Sequence, residues 1–207
     1  MAGHPPTRDR ERSRQRVLDA AEARFAADGY DRVTLAEIGA DAGLSRGAPG
    51  YLFGSKQGLY EEVLARLFDV REVALRAPWT ALAQAPDDEV PARLKLAVRA
   101  YLDFLHGRPT FLAITEREAL AGAPYLAGAP RRSTSIEDAF RALAERRPFR
   151  ISSALVVVFG VGMFPLVHRE TVLAPRGIDP TDAAVLERHT ILVTDLLLAV
   201  IEGRAGV

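Results

Sequence analysis

Thr34–Lys56 reads TLAEIGADAGLSRGAPGYLFGSK. Thr34 and Glu37 have the T-x-x-E spacing of a capping box: the hydroxyl accepts from the Glu37 backbone N–H, and the carboxylate returns to the Thr34 N–H. Leu35 and Ile38 then fall on one helical face. Gly43 can take the positive φ that ends a helix. Ser45 suits the N-cap of a second helix, with Arg46, Gly47 and Ala48 in its first turn. Two short helices joined by a turn of about three residues make a helix-turn-helix, whose second helix fits a DNA major groove. Ser55 reads as the cap of a further helix, which puts Lys56 at its first position. A cation there opposes the helix dipole, and a phosphate held at the same helix end offsets that cost. Lys56 and Lys95 are the only lysines of the chain, so Lys56 is not compositional background. A solvated surface lysine is the alternative reading.

Upstream, Val17, Leu18, Ala21, Glu22 and Phe25 follow a helical stripe,. The spacing predicts a helix over residues 13–28 closed by Gly29, its Leu18/Phe25 face packing on Leu35, Ile38 and Leu44. Residues 1–12 are polar and read as a flexible arm. Two roles stand for that arm: a solvated tail, or an extension reaching the DNA backbone or minor groove. Pro49 lies about four residues past the Ser45 cap, where a proline removes little hydrogen bonding. Gly47 and Gly50 each weaken helix propensity by about 1 kcal/mol, as expected of a short helix kept lean for close approach to a duplex. Downstream, Leu59, Tyr60, Val63, Leu67 and Val70 mark a fourth helix to about residue 76, followed by Pro78 and the boundary stretch AQAPDD, Ala83–Asp88,.

SRGAPGYLFGSKQGLY, Ser45–Tyr60, resembles the recognition-helix signature of the tetracycline-repressor (TetR) family of bacterial transcriptional regulators, roughly S-x-G-T-[ILP]-Y-x-H-F-x-S-K-x-x-L. The resemblance extends upstream through Arg16–Ser45 and covers the first third of the chain. It implies an all-α fold of about nine helices: a three-helix DNA-binding domain over residues 13–76, its motif at 34–53, and a helical ligand-binding and dimerisation domain over 77–207. It also implies a ligand-responsive regulator, a repressor, that binds a palindromic operator as a homodimer through its last two helices and lets go when a small molecule binds. Arg46 is then the base reader, able to pair with guanine O6 and N7. Ala48 and Pro49 would meet a thymine methyl, and Thr34, Ser45, Tyr51 and Lys56 would meet phosphates. Two alternatives stand beside these roles: Thr34 serving only as a cap, and Tyr51 packing inward with Phe53. The sequence departs from the pattern at Gly50, where the family has its first tyrosine, and at Leu52, where it has histidine. The phosphate contact of that tyrosine has no counterpart here. The same two positions keep open another reading: a helical small-molecule-binding or adaptor protein that does not read DNA.

Composition bounds these readings. Basic and acidic residues balance, 27 against 27, so only local placement argues for nucleic acid. Within residues 1–16, five arginines stand against Asp9 and Glu11, a net +3. With no cysteine, disulfides and thiolate metal sites are excluded. The first residues lack an apolar leader, and a cytoplasmic location is expected. Ala154–Val167 carries no charge for fourteen residues, short of the ~20 that span a bilayer and in the range of a core helix.

The second domain reads as helices centred on residues 90–105, 111–115 and 136–143, with a loop over 121–134. A helix through the apolar run is kinked near Pro165; its three successive valines are also compatible with a buried strand. A last helix is capped by Asp179 and runs to Glu202. That helix is apolar almost all round, so it needs cover on two sides. One cover is its own domain and the other a second copy, with Gly160 and Gly162 permitting close approach. Tyr101, Phe104, Phe111, Tyr125, Phe159, Phe164 and His168 are candidates to line a pocket for an apolar or aromatic effector, or are ordinary core. No zinc, P-loop or serine-hydrolase motif occurs, so no catalytic residue, cofactor or metal is expected, and no enzyme.

Overall fold

The computed structural model describes residues 7–126 and 134–204, and every regular element among them is a helix. The order is α1 (Thr7–Asp28), α2 (Leu35–Asp41), α3 (Ala48–Phe53), α4 (Lys56–Ala83), α5 (Val90–Gly107), α6 (Pro109–Leu120), α7 (Ser135–Arg146), α8 (Ile151–Leu155), α9 (Gly162–Val167) and α10 (Ala183–Ile201). Between α8 and α9 the chain widens into a π-helical turn, Val156–Val161, and after α9 into another, Arg169–Leu173. The fold is all-α.

Two compact units emerge. One holds the described residues up to Asp69 together with Pro109–Leu126; the other holds Val70–Arg108 and the residues from Thr134 onward. In the first unit Val17, Leu18, Ala21 and Phe25 of α1 form the core with Val33, Ile38, Leu59, Tyr60 and Val63. α6, within the 77–207 span, packs against α1. Arg117 Nη2 donates to the Ala27 carbonyl at 3.0 Å, satisfying an open acceptor at the end of α1,. In the second unit Leu75, Trp79 and Leu82 of α4 are fully buried with Leu94, Val98, Leu102 and Phe140. Trp79 meets Phe140 edge-on at 5.4 Å. α5 and α10 pack side by side.

Several boundaries differ from the sequence expectation. α1 begins at Thr7 and so takes in residues 7–12 of the expected arm; residues 1–6 lie outside the described residues. α4 does not stop near residue 76: it runs through Pro78 to Ala83, because burial of Leu75, Trp79 and Leu82 outweighs a missing N–H,. The departure from α geometry in the apolar run lies at the π turn, ahead of Pro165, and again past His168. The strand alternative there is excluded. α10 is capped by Asp182, whose carboxylate accepts from the Ala184 and Val185 N–H groups at 2.9 and 3.1 Å. Asp179 instead closes a turn, accepting from the Thr181 N–H at 2.9 Å. Of the loop expected at 121–134, residues 127–133 lie outside the described residues; Thr134 already caps α7. Gly162 approaches Tyr101 of its own chain, since a Cβ there would lie 3.2 Å from the ring, whereas Gly160 faces open space. Among the described residues no single helix is long and apolar enough to cross a membrane; only Ile151–Val167 and Arg169–Arg176 reach that composition together, bent by 65°.

Candidate nucleic-acid interface

The capping box at Thr34 is complete. Thr34 Oγ1 accepts from the Glu37 N–H at 3.3 Å, and Glu37 Oε2 accepts from the Thr34 N–H at 2.8 Å. These bonds, the side-chain bond first, hold the Glu37 carboxyl below its ordinary range,. α2 is tied to α1 by the Arg24–Asp41 ion pair, which lowers Asp41 and raises Arg24. Gly43 ends α2 at φ +63°, the left-handed conformation that glycine adopts without a Cβ clash.

α3 starts later than the sequence suggests. Ser45–Gly47 form a turn in which the Ala48 N–H donates to Ser45 O at 3.0 Å, and Gly47 is the N-cap. Proline supplies the reason. With Ser45 as cap, Pro49 would stand where an N–H is first required; with Gly47 as cap it occupies the second helical position, where none is. Pro49 is also buried, against Gly39, where a Cβ would lie 3.2 Å from Pro49 Cδ and 2.7 Å from Ser45 O. The thymine contact read for Pro49 therefore has no exposed ring to make it. Ser45, Arg46 and Gly47 are exposed, Ala48 is half-buried, and Tyr51 is 77% exposed rather than packed inward. Thr34 is exposed while serving as cap.

Ser55 caps α4 as expected: its Oγ accepts from the Gly58 N–H at 3.0 Å. Lys56 is half-buried and already engaged. Its Nζ donates to Asp31 O at 3.2 Å and stands 4.4 Å from the centre of the Tyr30 ring. This cation–π contact is one that spacing could not reveal. Tyr30 belongs to a ring cluster with Phe25, Tyr60 and Tyr125, and burial first, then its bond to Tyr125, pushes its hydroxyl up to about 12. Beneath it the buried Glu118 accepts from the Tyr60 hydroxyl at 2.9 Å and from the Tyr125 N–H at 3.2 Å. Arg14 lies 4.3 Å over the Phe53 ring, donates to Leu52 O at 3.1 Å and pairs with Glu62, fixing the end of α3 to α1.

The aromatic residues read as pocket candidates fall into both units. In the first, Phe111 is buried edge-on to Phe68 at 5.6 Å, and Tyr125 sits in the tyrosine cluster. In the second, Tyr101 meets Phe159 at 5.9 Å, Phe104 is buried, and the half-exposed Phe164 lies 4.5 Å from His168.

The family model described as "Bacterial regulatory proteins, tetR family" matches residues 17–63, the span of this motif and its supports. No protein of curated function matches the chain significantly. Among solved structures, a TetR-like transcriptional regulator from Rhodococcus sp. RHA1 is 22% identical over 99% of this chain and 100% of its own, with a TM-score of 0.66. A TetR family transcription regulator from Marinobacter aquaeolei VT8 is 15% identical over 93% and 98%, with a TM-score of 0.65. SmeT, the repressor of the Stenotrophomonas maltophilia multidrug efflux pump SmeDEF, is 23% identical over 90% and 88%, with a TM-score of 0.58. Residues 17–63 are thus similar to the TetR family of bacterial regulatory proteins, and the chain shares the fold of solved TetR-family regulators.

Proposed function

We propose that this protein is a DNA-binding regulator, a ligand-responsive repressor that reads a palindromic operator as a homodimer. The observation that carries the reading is the exposed rim of the helix-turn-helix: Ser45, Arg46, Gly47 and Tyr51 face outward from a motif whose inner face is filled by Ile38 and Pro49. Arg46 is the one long donor on that rim and is assigned to a base edge. Ala48 is assigned to a thymine methyl, and Thr34, Ser45, Tyr51 and Lys56 to phosphates. One short helix reads few base pairs, and a twofold pair of heads about 34–36 Å apart would read both half-sites. The dimer reading is supported by α10. Ile191, Leu192 and Leu196 are 42%, 51% and 38% exposed outside its buried face, and Val156 of the π turn is 69% exposed. A small apolar or aromatic effector is assigned to the second unit, with Tyr101, Phe104, Phe159, Phe164 and His168 as its contacts. The fold shared with SmeT supports the repressor direction.

The test is binding to fragments selected from genomic DNA, followed across a salt series. Arg46→Ala is expected to erase sequence preference. Lys56→Ala should flatten the slope of log K against log salt by about one unit per site. A protein that shows no salt-dependent DNA binding overturns the reading in favour of a helical small-molecule-binding protein, the alternative that Gly50 and Leu52 keep in view.

A further inference from the structure

The buried contacts of α1 begin at Val17, yet the helix starts at Thr7. What fixes its direction is a pair of arginines just ahead of the core. Arg14 is held by Leu52 O, the Phe53 ring and Glu62. Arg16 Nη2 donates to Gly43 O, in the turn of the helix-turn-helix, at 3.3 Å. The residues from 7 to 13 therefore extend about two further turns, roughly 10 Å at 1.5 Å per residue, from a point anchored to both the end of α3 and the turn before it.

That extension is basic. Arg8, Arg10 and Arg12 are all exposed. Among the described residues Arg12 has one loose ion pair, to Asp9 at 3.6 Å with both side chains more than half exposed, a kind of pair worth little. Arg8 and Arg10 have none among the described residues. Helical spacing orders them: Arg8, Arg12 and Arg16 form one row along α1, ending at the Gly43 turn, and Arg10 precedes Arg14 on the row that meets α3. Like charges four apart destabilise an isolated helix, so a polyanionic partner would relieve both rows. Elsewhere in this unit Arg14, Arg24 and Arg66 are each matched by carboxylates. Arg8, Arg10 and Arg12 continue α1 beyond the two arginines that hold the turn before α3 and its end.

We propose that the first turns of α1 form a second, sequence-independent DNA contact, in which Arg8, Arg10 and Arg12 meet backbone phosphates flanking the base pairs read by α3. The proposal rests on the DNA-binding reading above and extends its footprint. Shape decides which part of the duplex is met. A helix with its side chains is about 10–12 Å across, and the minor groove is about 6 Å wide. A helical extension cannot enter it as an extended arm can. α3 occupies the major groove, which leaves the sugar-phosphate backbone beside it.

The test uses the full chain, wild type and the Arg8→Gln/Arg10→Gln/Arg12→Gln variant, in fluorescence anisotropy against two labelled duplexes of about 30 base pairs. One duplex has mixed sequence and the other is selected from genomic fragments. Glutamine keeps the helix propensity of arginine, and circular dichroism verifies the fold. The expected result is a weaker affinity for both duplexes by the same factor, an unchanged ratio between them, and a salt slope shallower by about two to three units per head. The Arg→Lys triple variant should restore most of the slope, because phosphate contact needs charge rather than a planar fork. An unaltered slope overturns the proposal, and so does a change confined to the selected duplex, which would mean base reading. If wild type itself binds neither duplex in a salt-dependent way, the DNA-binding reading fails first. If wild type binds and the glutamine variant keeps its slope, only the α1 contact fails.

Discussion

Gly43 sits at φ +63° between α2 and the turn that leads to the recognition helix. An L side chain there costs roughly 1–2 kcal/mol. Gly43→Ala should lower the unfolding free energy by about that amount in a urea titration, with Arg16 shifting because its guanidinium lies 2.5 Å from the new Cβ. Four residues before α2 ends, Glu37 carries a pH dependence whose sign follows from the capping box. Its folded carboxyl titrates below the ordinary 4.5 because Thr34 bonds favour the charged form. The stabilisation is therefore complete above the unfolded value and is lost as pH falls through the folded one. Between pH 5 and pH 3 the wild type should lose stability faster than Glu37→Gln, as thermal melts followed by circular dichroism would show. Equal slopes would mean the box is not formed in solution.

Within the first unit, α6 is held by polar bonds as well as packing. Glu118 is only 3% exposed and is the acceptor for the Tyr60 hydroxyl and the Tyr125 N–H. Glu118→Ala would strand both donors, at about 1–3 kcal/mol each in an apolar site. Glu118→Gln keeps a carbonyl acceptor and should cost less than half as much; chemical denaturation of the two variants checks the ordering. Nothing in the local sequence of α6 announces this role. Helix starts with chemistry of their own were legible: the Thr34 box, the Ser55 cap and the positive-φ glycines 29 and 43 all stand where the residues implied. Features decided by distant partners were not. Pro78 argues locally for a break, and only burial of Leu75 and Trp79 carries α4 past it. Arg14 is one arginine among five in the first sixteen residues until Phe53, Leu52 and Glu62 single it out. Pro49 is a special case: the rule that moves the start of α3 was available, but the competing caps at Ser45 and Gly47 could not be ranked without Gly39 beneath them.

For the molecule as a whole, the outward stripe of α10 sets the expected assembly. Its buried side holds Leu186, Val193, Leu197 and Ile201 with Thr190 and Thr194, whose hydroxyls are satisfied by carbonyls four residues back. The rest of its circumference exposes Ile191, Leu192 and Leu196 beside Arg188 and Asp195, three large apolar side chains on a face that water alone would leave to polar residues,. A Leu192→Glu/Leu196→Glu variant should sediment as a monomer at micromolar concentration while keeping its helical content. It should also lose DNA affinity far beyond the effect on one head, because one half-site alone is then engaged. A wild type that is itself monomeric in the same experiment would remove the assembly reading.

The chain's one tryptophan, Trp79, is fully buried in the second unit, and its indole N–H has no hydrogen-bond partner among the described residues. A buried indole emits at short wavelength, and its red shift on exposure to water would register the opening of that unit alone. Far-ultraviolet dichroism sums over the helices of both. Superimposable curves from the two probes would make the protein a single cooperative entity; separated midpoints would give each half its own melting point from one unlabelled sample.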